Sequence, residues 1–143
     1  MQKRSLAFAV CLTVVGCDKI GRNGLDSIPN PSPEQEQVAQ ISYDQLRKGD
    51  FEQISTHFEP ALKAYFIKNQ KQMLKFSKAL PKEDYRSKKI VAKRIEKDSS
   101  KPSLYKVTYE YAYDNNLVQY DVSFDKPNGS TLIRNLDVQI FGK

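Results

Sequence analysis

The chain of 143 residues is poor in the residues that build metal and redox centres, with two cysteines, Cys11 and Cys17, and one histidine, His57. Nothing after Cys17 carries a thiol, so no disulfide can staple the remainder, and a folded domain there must draw its stability from its core. The same scarcity argues against zinc, which takes three or four protein ligands that include histidine or cysteine. Long apolar runs are missing too. The uncharged, mostly apolar stretch from Leu6 to Gly16 has 11 residues, whereas crossing a bilayer as a helix takes about 20. No arginine-rich motif, zinc-finger spacing or internal repeat is present, so the sequence offers no grounds for nucleic acid as a partner.

What the chain does have begins at its first residues. Lys3 and Arg4 precede the short apolar run, and polar or charged residues follow from Asp18 onward, which is the layout of a secretory signal. The stretch Leu12-Thr13-Val14-Val15-Gly16-Cys17 resembles the bacterial lipobox, with an aliphatic residue at minus three and a small one at minus one before a cysteine. That resemblance implies cleavage between Gly16 and Cys17, a diacylglycerol on the Cys17 thiol and an acyl chain on its new amino group. Cysteine suits the role because its thiolate is a strong nucleophile, and two acyl chains suffice for stable attachment. The resemblance implies no other cofactor. It also gives Asp18 the role of an inner-membrane retention signal, with the domain facing the periplasm. That sorting rule varies between bacterial groups and leaves the outer membrane open.

Removing Lys3 and Arg4 from the formal charge of +6 leaves about +4, a sign that favours anionic lipid head groups or acidic proteins. From Cys17 to Pro33 the chain mixes glycine, proline and polar residues without apolar periodicity, as a tether would. Its reach is at most about 55 Å. Residues 34–143 suit one domain.

The domain starts with helical patterning. Val38, Ile41 and Leu46 predict a helix ending near Gly49, and Asp50 caps a short one carrying Phe51, Ile54 and Phe58. Pro60 opens a longer helix to about Leu80. On it Leu62, Tyr65, Phe66, Met73, Phe76 and Leu80 form one stripe, and Lys68, Lys71, Lys75 and Lys78 the other.

After about Lys88 the period becomes two. A type I′ turn at Asn115-Asn116 sets Tyr113 opposite Val118, Tyr111 opposite Tyr120 and Tyr109 opposite Val122. A three-residue loop, Pro127-Asn128-Gly129, sets Phe124 opposite Leu132 and Tyr120 opposite Leu136, with the glycine left-handed. All the apolar residues of three strands then share one face. An earlier strand, about 88–97, has mixed parity.

Helices followed by an antiparallel meander predict an α+β domain with the N-terminal helices on a curved sheet of about four strands. That element order resembles the cystatin-like or nuclear-transport-factor-two-like fold, whose members include isomerases, dehydratases and binding domains. Two constellations stand out in the expected pairing. Arg134 falls in the row of Tyr109 and Val122, where it could hold an anionic ligand among Tyr109, Tyr111 and Tyr120 or extend its charge to solvent. Glu110 falls opposite Asp121, a like-charge pair that a neighbouring lysine would relieve. His57 lacks an identifiable acid partner or nucleophile, and no acidic residue falls on the apolar strand face, so the sequence points away from catalysis. The Lys68, Lys71, Lys75 and Lys78 stripe reads as a solvated face or as a contact for anionic lipid or an acidic protein. The expectation is a noncatalytic, membrane-tethered binding or accessory domain of unspecified oligomeric state. An immunity or secretion-associated lipoprotein that captures a protein, and an isomerase or hydrolase of the resembled fold, are the alternatives.

Overall fold

The computed structural model describes residues 27–142; the expectations for the signal segment, Gly16, Cys17 and Asp18 lie outside the described residues. Among the described residues four helices precede four strands: α1 Pro33–Lys48, α2 Phe51–Ser55, α3 Pro60–Lys68, α4 Gln70–Ala79, then β1 Ser87–Asp98, β2 Lys101–Ala112, β3 Asn116–Phe124 and β4 Asn135–Gly142. The strands form one antiparallel sheet in the order β1-β2-β3-β4. The α+β class and the four-stranded meander expected from the sequence are both present.

Local chemistry sets the limits of α1. Ser32 Oγ accepts from the Gln35 backbone N–H at 3.1 Å, and Gln35 Oε1 accepts from the Ser32 N–H at 3.1 Å, a reciprocal cap. At the other end Gly49 turns left-handed at φ 75° and donates to the Gln45 and Leu46 carbonyls. The buried stripe of α1 is Gln35, Ala39, Ser42, Tyr43 and Leu46. Ile41 is exposed and Val38 only half-buried. Small and hydroxyl-bearing residues face the core because the sheet opposite presents tyrosines.

Residues 29–30, part of the expected tether, are fastened to the sheet: the Tyr105 hydroxyl donates to the Pro29 carbonyl at 2.6 Å, and Lys93 Nζ donates to Asn30 Oδ1 at 2.8 Å.

The long helix expected over residues 60–80 is two helices. At Asn69 the backbone leaves the helical region (φ −120°, ψ 51°), and both its N–H and its side-chain amide donate to the Tyr65 carbonyl. Asparagine offers the chain a local alternative to the helical ladder. The short helix α2 stops at Ser55, so Phe58 falls outside it and pairs with Ile133 as an isolated parallel bridge.

Both hairpins differ from the expected register by two residues. Tyr109 lies opposite Tyr120, Tyr111 opposite Val118 and Tyr105 opposite Phe124, with Asp114-Asn115 at the tip and the Tyr113 N–H donating to the Asn116 carbonyl. No type I′ turn forms, since neither tip residue has positive φ. Asp114 is held in the loop by Arg86 at 2.5 Å. Between β3 and β4, Val122 faces Leu136 and Tyr120 faces Val138. That connection is longer than three residues because Ile133 is drawn onto Phe58, its N–H donating to the His57 carbonyl and its carbonyl accepting from the Glu59 N–H. Ile133, not Leu132, enters the core. Asn128 rather than Gly129 adopts the left-handed conformation (φ 58°). Gly129 is required for a different reason: a Cβ there would lie 2.5 Å from the Asp125 carboxylate, which accepts from the Lys126 and Ser130 N–H groups. A shift of two preserves which face each side chain occupies, so the apolar face survives both corrections.

β1 contains a bulge between Ile90 and Ala92. It flips the parity of the strand, placing Ile90 opposite Tyr109 and Ile95 opposite Tyr105, so both lie in rows of the tyrosine face.

Candidate functional site

The tyrosine face forms a polar seam under α1. Tyr43 stacks on Tyr111 with centroids 3.7 Å apart and planes 5° from parallel. Its hydroxyl shares a 2.6 Å hydrogen bond with Tyr113. The Tyr120 hydroxyl meets Ser42 Oγ at 2.7 Å, and the Tyr111 hydroxyl donates to Gln40 Oε1 at 3.4 Å. Tyr109 has no such partner among the described residues, although Lys88 Nζ lies 5.1 Å from its ring centre. Burial disfavours the phenolate and raises the pKa of each of these tyrosines, with Tyr105 pushed up to about 12. They are neutral at physiological pH. Their role is packing and hydrogen bonding, because α1 occupies the space in front of them.

Arg134 is not in this seam. The row expected to join it to Tyr109 and Val122 does not form, since Val122 pairs with Leu136 and Arg134 precedes β4. The two-residue register shift moves it past the end of the sheet, where it is half-buried and its N–H donates to the Ser123 carbonyl. Glu110 and Asp121 are likewise separated: Glu110 faces Gln119 and pairs with Lys89 at 3.8 Å, while Asp121 accepts from Thr108 Oγ1 at 2.6 Å. Asp121 instead lies opposite Asp137. No group of three or more metal-ligating side chains occurs among the described residues. His57 is half-buried with Nε2 unpartnered among them, and desolvation lowers its pKa.

The lysines gather where the helices meet. Lys71, Lys75 and Lys78 share one surface of α4 with Leu74, whereas the break at Asn69 leaves Lys68 on α3. From Pro60 to Lys82 the chain has six lysines and no aspartate or glutamate. None of Lys63, Lys68, Lys71, Lys75 or Lys78 has an ion-pair partner among the described residues. Beside them α2, α3 and α4 enclose a groove of about 510 Å³ lined by Phe51, Phe58, Phe66 and Met73, with Lys63, Lys71, Ile67 and Leu74 also on its wall. Ile67 is 62% and Leu74 43% exposed. The lysine stripe is visible in the sequence; Lys63 and the groove are not. The absence of acidic residues from 60 to 82 is the signal that marks Lys63 as part of the same field. Compared with known proteins, the chain matches no family model, no curated protein and no solved structure.

Proposed function

We propose that the chain is a lipid-anchored protein of the bacterial cell envelope whose domain is a noncatalytic binding or accessory module. Cleavage at Gly16–Cys17, lipidation of Cys17 and retention through Asp18 at the inner membrane, facing the periplasm, belong to this proposal. So does assignment of the α+β domain to the cystatin-like or nuclear-transport-factor-two-like group. The observation that carries the anchor is the Leu12-to-Cys17 lipobox next to a short apolar run too brief to span a bilayer. Support for binding rather than catalysis comes from the uncompensated lysines beside an apolar groove, set against a tyrosine seam filled by α1. The same lysines favour, as a second reading, capture of an acidic protein of the kind expected of an immunity or secretion-associated lipoprotein.

Intact mass of the membrane-extracted protein from a bacterial host, compared with Cys17→Ala, tests the anchor. The expected result is loss of residues 1–16 with an acyl-sized mass gain, both abolished by the substitution. A cut chain without lipid, or an uncut soluble chain, would overturn it.

A further inference from the structure

We infer that the groove between α2, α3 and α4 binds a single-chain anionic amphiphile of the fatty-acid or lysophospholipid type. The inference is independent of the Cys17 anchor. Three observations converge on it. The groove's volume of about 510 Å³ falls within the ~300–1,000 Å³ of ordinary small-molecule sites. Its wall is apolar where it is deepest, with Phe58, Phe66 and Met73 buried. An alkyl chain needs such a surface, since apolar area is what it removes from water. The third observation is charge. Lys63 and Lys71 lie on the wall with no ion-pair partner among the described residues, and Lys75 and Lys78 extend the positive field along α4. Glu52 is the single acid among the described residues on the wall, so the local balance favours a negative head group.

Each feature disfavours a different rival. A neutral lipid would leave the lysines uncompensated, and a free inorganic anion would leave the apolar wall wet. A flat membrane surface would reach the exposed Ile67 and Leu74 without filling the concavity behind them. One chain and one charge suit the site: the chain lies against Phe51, Phe58, Phe66 and Met73, and the head meets Lys63 and Lys71.

The full chain is purified from bacterial membranes into neutral phosphatidylcholine discs, or from the soluble fraction if membranes do not retain it. It is then photolabelled with a diazirine-bearing long-chain fatty acid, and adducts are mapped by peptide mass spectrometry. The matching fatty alcohol serves as control. Adducts are expected on Phe51, Phe58, Phe66 or Met73. The Lys63→Ala/Lys71→Ala variant is expected to lower fatty-acid labelling about tenfold, as loss of a charge-assisted contact would, while leaving alcohol labelling and the melting temperature unchanged. Leu74→Asp, a change at an exposed position, is expected to suppress labelling by both probes. Adducts confined to exposed residues off the wall, such as Tyr65, would overturn the site in favour of a membrane- or protein-facing surface. Equal labelling by acid and alcohol, unmoved by the lysine substitutions, would overturn the anionic head group.

Discussion

Gln35 is a fully buried amide that uses every hydrogen-bonding position it has. Nε2 donates to the Lys126 and Ser130 carbonyls at 3.0 and 3.1 Å, while Oε1 accepts from the Ser32 and Asn128 N–H groups at 3.1 Å each. An amide has two donors and two acceptor positions, so the residue is matched to its pocket. Gln35→Leu keeps the bulk but removes a partner from four backbone groups at once, of which the Lys126 carbonyl still accepts from the Gly129 N–H. Some of them recover water, and the expected loss is about 2–4 kcal/mol, read from the urea midpoint; a change within experimental error would mean that the loop holds without the clamp. His57 tests burial in another way. Its folded pKa lies below the ordinary value of about 6.5, so below that pH the unfolded chain binds more protons than the folded one. Stability is therefore complete above about pH 7 and declines as pH falls through the unfolded value toward the lower folded one. His57→Gln should flatten that decline when urea midpoints are compared at about pH 7.5 and about pH 5, whereas an unchanged slope would assign it to other groups.

At the scale of elements, the end of α1 depends on a backbone conformation as much as on contacts. Gly49 is left-handed, and a Cβ added there would meet only Ser77 Oγ at an ordinary 3.4 Å. Gly49→Ala should thus express conformational strain with no clash, costing about 1 kcal/mol and lowering the melting temperature by about 4 °C. Gly49→Asn should lose less, because asparagine tolerates that conformation; equal losses from both would point to packing against α4. The features least legible in the sequence are also breaks in regular structure. Val91 scrambles the parity of β1 because it sits at the bulge, so a strand whose Ile90 and Ile95 share the tyrosine rows looks unpatterned. Asn69 interrupts a helix whose apolar stripe runs on through it, and periodicity cannot register a break that preserves the stripe. The shifted hairpins are accompanied by an Arg86–Asp114 ion pair and a Phe58–Ile133 bridge, contacts between distant segments that turn residues alone do not encode.

For the whole molecule, the class of fold follows from the change of period near residue 88, and the lysine face follows from composition. The groove does not follow from either, since Phe51, Phe58, Phe66 and Met73 read as core residues one helix at a time and become a wall only when three helices meet. Arg134 failed as a pocket residue because a two-residue register error, harmless to the faces, displaces a single side chain by two positions along the sheet. Rows are far more sensitive than faces. The docking of Pro29 and Asn30 also governs how the domain would respond to being held at its N-terminus. With Pro29 and Asn30 bonded to the sheet and Ile28 packed against the core, the domain's contacts begin before Pro33, so the composition from Cys17 to Pro33 overstates the tether. A pull along it would load the Tyr105–Pro29 and Lys93–Asn30 bonds first and Gln35 next, in series. Tension would therefore enter the domain through Tyr105 and Lys93 on the sheet before it reached the first turn of α1 at Gln35.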